Sequence, residues 1–239
     1  MAGAWVALFS GGKDSSYALH SALTTGLDVQ RLLTVHPSHE SYLYHVPLTE
    51  LASLAAESIG IPLVEVEPED LQAPEATDAS AQGDAELQPL AGALDELHEE
   101  LDLAGVIVGA IESRFQADRI ERAAADLGID VFAPLWQRDT RALAEAMLAA
   151  GFEIRIVQVA AAGLDESWLG RTLDAAALDE LAALREEHGI HLLGEGGEFE
   201  TLVTDGPHMT HPIEIEAEPE WDGTRGTLRV TDARLRASS

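Results

Sequence analysis

The sequence predicts an α/β protein, with a parallel, Rossmann-like sheet domain followed by a smaller α+β domain. Over the first 135 residues, apolar runs of strand length alternate with amphipathic stretches of helix length. This alternation favours a parallel sheet covered on both faces, with its ligand site beyond the carboxyl ends of the strands. After Pro134 the alternation stops. We therefore predict domains at 1–136 and 137–239, with a boundary near Gln137.

Five strands and four helices are expected in the first domain. The apolar runs predict strands at residues 4–9, 31–35, 62–66, 105–108 and 129–133. Helical spacing predicts helices from the glycine turn to residue 23 and at 47–58, 84–101 and 113–127. Residues 67–88 are rich in Ala, Asp, Glu, Gln and Pro, which predicts a mobile surface loop.

The second domain is expected to mix helices with short strands. A helix is predicted at 139–150 and a strand at 153–159. Asp174 is suited to cap a helix that ends near His188, because Gly189 follows directly. Two further strands are predicted at 213–216 and 227–230, joined through Asp222 and Gly223.

The composition is strongly acidic. There are 43 Asp and Glu against 14 Lys and Arg, which gives a net charge of −29, and Lys13 is the only lysine. Molar salt would screen this self-repulsion, because the Debye length is then only ~3 Å. We therefore predict adaptation to a salt-rich cytoplasm, as in a halophilic archaeon; an acidic mesophilic protein is the alternative.

Several classes of function are excluded or disfavoured. Without cysteine there is no disulfide, Cys-based zinc site, iron–sulfur cluster or Cys nucleophile. No basic tract is present, so nucleic-acid binding is not expected. The nine histidines show no metal-ligand spacing. Because neither a signal peptide nor a membrane span is found, a cytoplasmic location and no membrane partner are predicted.

The sharpest signal is the run Ser-Gly-Gly-Lys-Asp-Ser at residues 10–15, between a predicted strand and a predicted helix. Gly11 and Gly12 allow backbone N–H groups to approach an anion, and the helix N-terminus adds donors and a positive dipole end. Lys13 supplies a charge for phosphate oxygens, and Ser10 and Ser15 supply hydroxyls. Asp14 would repel phosphate unless Mg²⁺ lies between them. A plain glycine turn with Asp14 favouring the helix start is the alternative.

The run does not fit the Walker-type pattern G-x-x-x-x-G-K-[ST], because Asp14 follows Lys13 where that pattern has Ser or Thr. The run instead resembles the PP-loop of the ATP pyrophosphatases. The resemblance implies cleavage of ATP between its α and β phosphates, to AMP and pyrophosphate.

Further segments resemble one family within that superfamily, the diphthine–ammonia ligases. Residues 109–119 (GAIESRFQADR) resemble its G-A-I-x-S-x-[YF]-Q-x-x-R segment, and residues 194–201 (GEGGEFET) its G-E-G-G-E-[FY]-E-T signature. Residues 134–136, 163–164 and 169–171 match shorter segments, and Glu40, Ser41 and His45 a weaker one. The matches run from residue 10 to residue 207.

Candidate nucleotide-binding residues follow the ends of the predicted strands. Gly109 and Ser113 follow the fourth strand, and Gln116 and Arg119 share one face of the next helix. Ser113 and Gln116 could equally form a capping box, whereas arginine suits phosphate or carboxylate. For the adenine, topology favours the end of the second strand, at Val35 and His36.

The acidic signature at residues 195–201 is the candidate substrate site. Composition alone favours an acidic surface hairpin turned at Gly196 and Gly197. The family resemblance favours a site instead, with substrate-binding residues at His45, Glu195, Gly196, Gly197, Glu198, Glu200 and Thr201. In an extended run Glu198 and Glu200 point to the same side, so the pair could bind an ammonium group or Mg²⁺.

The resemblance implies ATP-dependent amidation of diphthine, a modified histidine of translation elongation factor 2, by ammonium. The carboxylate would be activated as an acyl-adenylate, with Lys13, Asp14, Glu198 and Glu200 as catalytic residues and Mg²⁺ held by Asp14 through the phosphates. The absence of cysteine leaves no Cys-based glutaminase, so ammonia must come from outside the chain. Another PP-loop ligase, including a tRNA-modifying one, and a non-catalytic nucleotide-binding module stay open, as does a homodimer.

Overall fold

The computed structural model describes residues 3–35, 48–66 and 79–237 of the chain. In these ranges the chain forms two sheets and six α-helices. None of these helices has both the length and the hydropathy needed to cross a bilayer.

The first sheet has five parallel strands in the order β3-β2-β1-β4-β5. Apolar residues fill its central strand, where Trp5, Val6 and Ala7 are at most 1% exposed, as a sheet covered on both faces requires. Its strands are β1 (Ala4–Leu8), β2 (Asp28–Val35), β3 (Leu63–Val66), β4 (Leu103–Ile107) and β5 (Asp130–Phe132). Its helices are α1 (Lys13–Thr24), α2 (Leu48–Ile59), α3 (Ala79–Leu101) and α4 (Arg114–Leu127).

The second sheet has four antiparallel strands in the order β7-β6-β9-β8. Its strands are β6 (Glu153–Val159), β7 (Phe199–Asp205), β8 (Ile213–Trp221) and β9 (Gly226–Leu235). The remaining elements are α5 (Thr140–Ala149), a 3₁₀ turn (Glu166–Trp168) and α6 (Ala175–His188). Asp174 caps α6 by accepting from the Ala177 N–H, and Gly189 ends it at φ 74°, as the sequence predicts.

One prediction of the sequence was wrong. The expected loop at 67–88 is helical from Ala79 onward, because Ala, Gln and Glu are strong helix formers. Residues 67–78 lie outside the described ranges. The sequence analysis also did not predict strand β7 at residues 199–205. The other elements agree in place and differ in length. β2 begins at Asp28 and β8 reaches Trp221, since backbone pairing extends past the apolar positions that mark a strand in sequence.

The largest apolar core joins the two sheets. It includes Leu19 of α1 and Ile107 of β4, and also Leu143 of α5, Ile154 of β6 and Leu178 of α6, all fully buried. The predicted boundary near Gln137 stays a prediction. The two halves pack on shared apolar surface.

Candidate active site

The glycine loop at residues 10–15 joins β1 to α1 beyond the carboxyl end of the central strand. Gly11 lies at φ 76°, a conformation that L side chains rarely adopt, and Gly12 is the N-cap of α1. The first helical bond runs from the Ser16 N–H to the Gly12 carbonyl at 3.1 Å. The loop therefore presents a helix N-terminus to the space above the sheet, as anion binding requires.

The two serines of the loop fix its shape. The Ser15 hydroxyl accepts from the Ser10 N–H and donates to the Gly12 carbonyl, both at 3.2 Å. The Ser10 hydroxyl lies 3.2 Å from that of Ser15 and accepts from the Gly12 N–H at 3.4 Å. These side chains hold the loop in place before any ligand is bound.

Lys13 and Asp14 form an ion pair at the start of α1. The Lys13 Nζ lies 2.8 Å from Asp14 Oδ2, and the Lys13 side chain is only 5% exposed. The other oxygen of this carboxylate, Oδ1, is buried and makes no hydrogen bond within the described part of the chain. The ammonium is thus already placed in the loop, and a phosphate would compete with Asp14 for it.

The loop after β4 touches the start of α1 at Gly109. A Cβ at this position would lie 2.7 Å from the Asp14 carbonyl carbon and 2.8 Å from the Ser15 nitrogen. Because these are backbone atoms, no side chain can move aside to make room. Glycine is required here by the close approach of two backbones.

Strand β7 of the second sheet also contacts the loop. The Lys13 N–H donates to the Thr201 hydroxyl at 3.2 Å, and the Val203 N–H donates to the Gly11 carbonyl at 2.9 Å. The predicted substrate segment therefore lies directly beside the predicted phosphate loop, although Lys13 and Thr201 are 188 positions apart in the chain.

The three carboxylates of the acidic segment, Glu195, Glu198 and Glu200, make different contacts. Glu198 accepts from the Gly196 N–H at 2.8 Å and from the His191 N–H at 2.9 Å, so both of its oxygens fix the turn that precedes β7. Glu195 accepts from the Glu112 N–H at 3.2 Å and links this turn to the loop after β4. Glu200 is exposed and lines both cavities described below. Glu198 and Glu200 therefore do not act as the expected pair, because Glu198 binds backbone N–H groups and Glu200 lines the cavities.

A crevice of about 680 Å³ lies above the carboxyl ends of β1, β2 and β4. Its polar lining includes Asp14, Ser15, Ser113, Arg119 and Glu195. Its apolar lining consists of Leu8, Phe9, Leu33, Val35, Leu90, Val108, Ala110 and Ile120. This crevice, the nucleotide crevice below, combines phosphate-binding groups with an apolar surface suited to a base.

A second cavity of about 300 Å³ lies on the other side of the loop, between α2 and the second sheet. Ser10, Asp14 and Glu200 line both cavities, so the two meet at the loop. The second one is further lined by Gly12, Lys13, Leu51, Val157, Gly194, Phe199, Thr201, Leu202 and Val230. We call it the acceptor cavity.

The structure brings most of the predicted site residues together and leaves three of them undecided. His36 and His45 lie outside the described ranges, as does the side chain of Gln116 on α4. Gly197 lies at φ 80°, turning the segment before β7, where its N–H donates to the Gly194 carbonyl at 3.0 Å.

Sequence reasoning missed His191 and the apolar walls of the acceptor cavity. The His191 Nδ1 accepts from the Glu195 N–H at 3.2 Å and from the Leu193 N–H at 3.3 Å, which stabilises the same turn. No motif marks His191 in the sequence. The wall residues Leu51, Val157 and Val230 have the pattern of ordinary core positions.

Asp14 offers the site a carboxylate oxygen for a magnesium ion. Asp14 Oδ1 is buried without a hydrogen bond and lies in the loop, where it could face a metal bound to phosphates. Within the described ranges no three His, Asp or Glu side chains are grouped to hold an ion by themselves. This arrangement fits Mg²⁺, which is often held by one or two carboxylates together with substrate phosphates.

The largest change in pKa lies away from the loop, at an aromatic cluster that joins α1 to the second half. The His208 ring stacks on Phe152 at 5.2 Å between centroids and lies 6.1 Å from that of His20. Burial, with the nearby charge of His20 as the lesser cause, lowers the pKa of His208 to about 4. Burial also lowers the pKa of His20. Both imidazoles are therefore neutral at pH 7.

The chain matches a known protein family over most of its length. Residues 3–131 match the family model of the diphthamide synthase N-terminal domain, and residues 139–235 that of the C-terminal domain. The diphthine–ammonia ligase of Danio rerio is 34% identical, covering 89% of this chain and 86% of its own. That of Homo sapiens is 32% identical, covering 88% and 82%.

Among solved structures, a predicted subunit of a tRNA methyltransferase from Methanocaldococcus jannaschii covers 97% of this chain and 99% of its own. Its sequence identity is 17% and the TM-score is 0.44.

Proposed function

The chain belongs to the diphthamide synthase family, and from this premise we propose that it is an ATP-dependent ligase that amidates diphthine on elongation factor 2 to diphthamide. One observation carries the proposal: the nucleotide crevice and the acceptor cavity meet at Ser10, Asp14 and Glu200, beside the Lys13 ammonium. A reaction that joins ATP to a second substrate needs two sites that open onto one point.

The first step activates the acceptor. A carboxylate oxygen of diphthine attacks the α-phosphorus of ATP, a P–O bond to the β-phosphate breaks, and pyrophosphate leaves from an acyl-adenylate. Lys13 and the N-terminus of α1 stabilise the negative charge that develops on the departing pyrophosphate. Arg119, which also lines the nucleotide crevice, offers a second cation to the phosphates.

The second step forms the amide. Ammonia attacks the acyl carbon, the bond to the AMP oxygen breaks, and the products are the amide and AMP. Ammonium must first lose a proton, and Glu200 lies where the two cavities meet, so we assign it as the proton acceptor.

Magnesium fits the first step. Asp14 would hold Mg²⁺ through its Oδ1, and the ion would supply charge neutralisation on the phosphates. The same carboxylate lies 2.8 Å from the Lys13 ammonium, so the two cations would share it.

The test supplies the chain with diphthine-bearing elongation factor 2, ATP and ammonium. We expect AMP and pyrophosphate in equal amounts, and mass spectrometry should find the carboxyl of diphthine converted to an amide. Without ammonium, labelled pyrophosphate should still exchange into ATP, and only when the factor is present. ADP as product would contradict the proposal, and the absence of any turnover would favour a non-catalytic binding module.

A further inference from the structure

The turn before β7 is held together by His191, a residue with no role in the proposed reaction steps. Its Nδ1 accepts from the Glu195 N–H at 3.2 Å and from the Leu193 N–H at 3.3 Å. Its backbone takes part as well, because the carbonyl accepts from the Gly194 N–H at 3.0 Å and the N–H donates to Glu198 at 2.9 Å. A single residue therefore makes four hydrogen bonds within this turn.

These contacts determine which nitrogen of the His191 ring carries the hydrogen. A ring nitrogen that accepts hydrogen bonds has a free lone pair, so Nδ1 is bare and Nε2 carries the hydrogen. Nε2 is buried and makes no hydrogen bond within the described part of the chain, and Glu112 Oε2 lies 3.8 Å from it. A metal ion would need the Nε2 lone pair, which this tautomer lacks. His191 therefore presents a donor to Glu112 and is not a metal ligand.

The turn carries Glu195 to the wall of the nucleotide crevice. The N–H of Glu195 is one of the two donors to the His191 ring, and its side chain lines the crevice and accepts from the Glu112 N–H at 3.2 Å. That bond joins the turn to the loop after β4, and the same loop touches the start of α1 at Gly109. The His191 ring thus acts on a wall of the crevice through the backbone of the turn.

From these contacts we infer that His191 is a positioning residue for ATP binding. In its Nε2–H tautomer it fixes the backbone of Leu193 and Glu195, and so holds the Glu195 carboxylate at the nucleotide crevice. Without the Nδ1 acceptor, two backbone N–H groups beside the crevice lose their partner, and the turn no longer has one fixed conformation. The inference rests on the proposed function for the identity of the nucleotide, but it needs no acceptor substrate.

The experiment replaces the ring by amides that keep or lose the acceptor, and calorimetry measures the ATP dissociation constant. In His191→Asn the amide oxygen takes the place of Nδ1, whereas in His191→Gln it lies one bond farther from the backbone. We expect about fivefold weaker ATP binding in His191→Gln and a change within about twofold in His191→Asn. His188→Gln is the matched control, because His188 ends α6 and its Nε2 lies 3.7 Å from Glu187, away from the turn. It should leave ATP binding unchanged.

NMR of the ring nitrogens provides the second readout. At neutral pH the ¹⁵N shifts of His191 in the wild type should place the hydrogen on Nε2. A hydrogen on Nδ1 would overturn the inference, and so would equal ATP affinity in His191→Asn and His191→Gln. A purely structural role would instead lower the free energy of unfolding of His191→Gln while its folded form bound ATP like the wild type. If the chain binds ATP in this His191-dependent way but fails to amidate the factor, the proposed function has failed and the inference stands.

Discussion

The glycine loop at residues 10–15 and the acidic segment at residues 195–201 both stand out in the sequence, yet the structure treats them differently. In the loop, Ser10 and Ser15 hold the backbone and Lys13 and Asp14 face the cavities, so the motif acts as one unit. In the segment, Glu198 is bound by backbone amides and Glu200 lines both cavities, so neighbours in sequence have separate tasks.

The difference arises from what each run of residues does to the backbone. The loop begins a helix, and the N-terminus of a helix gathers donors and side chains toward one ligand. The segment contains a turn before β7, and the N–H groups of that turn attract the nearest carboxylate, that of Glu198. In a motif that contains a turn, some residues stabilise the turn and others contact the substrate, and the two groups must be distinguished.

The largest effect is expected at Lys13, in the loop. Lys13→Ala should lower kcat/KM by a factor of about 10²–10³, because the charge on the departing pyrophosphate loses its nearest cation. The circular dichroism spectrum should stay that of the wild type. Lys13→Arg keeps the charge and should recover only part of the activity, since guanidinium is larger than ammonium and the Lys13 side chain is only 5% exposed. Near-normal turnover in Lys13→Ala would remove the role assigned to the loop.

The next effect tests whether the loop depends on the neighbouring strand. Gly109→Ala places a Cβ within 2.7–2.9 Å of the backbone of Asp14 and Ser15, so the start of α1 must move. We expect a loss of about 1–3 kcal/mol in the free energy of unfolding and weaker ATP binding by calorimetry. Gly92→Ala is the control. It meets nothing within 4 Å on α3 and should stabilise the chain by about 0.5–1 kcal/mol. Equal stability of the two variants would contradict the close approach.

A pair of variants tests the division inside the acidic segment. Glu198→Gln should lower the free energy of unfolding by about 1–2 kcal/mol, because an amide NH₂ would face a backbone N–H of the turn. Glu200→Gln should change it by less than about 0.5 kcal/mol and lower kcat by about tenfold or more. Urea titration and steady-state kinetics on both variants decide the matter. If Glu198→Gln lowers kcat alone, with unchanged stability, Glu198 belongs with the reacting groups.

The smallest effect lies outside both regions, at His208. Its pKa of about 4 is below the ordinary value of 6.5, so the unfolded chain binds more protons between these two pH values. The stability contributed by the neutral ring is present above about pH 6.5 and is lost as the pH falls toward about 4. Between about pH 7 and pH 5, the melting temperature of the wild type should fall more than that of His208→Phe. Parallel melting curves in the two proteins would show that this ring does not contribute.

The sequence predicts the first sheet and the loop well, because their signals are local. Apolar periodicity marks β1 and β4, and glycine and hydroxyl residues mark the loop between β1 and α1. Asp174 and Gly189 likewise mark the ends of α6, since capping depends on residues within one turn. The family and the fold class follow from such local signals.

Contacts between distant parts of the chain could not be predicted in this way. The hydrogen bond from Lys13 to Thr201 depends on how the two sheets pack, and nothing near Lys13 encodes it. Val157 and Val230 have the sequence pattern of core strands, and only their position beside the loop turns them into cavity walls. The hydrogen bond from the Gly196 N–H to Glu198 depends on the backbone conformation of the turn, which composition does not specify.

The bonds from the loop to β7 have a consequence for the order in which the protein matures. A ribosome releases the Gly11 carbonyl early, whereas the Val203 N–H that binds it emerges only when most of the chain has been made. Contacts between positions so far apart form late in folding. We expect the loop at residues 10–15 of the nascent chain to lack its hydrogen bonds to β7 until β7 packs against it. Cleavage of ATP would then begin only in a molecule that also has its acceptor cavity, and unfinished chains would not waste nucleotide.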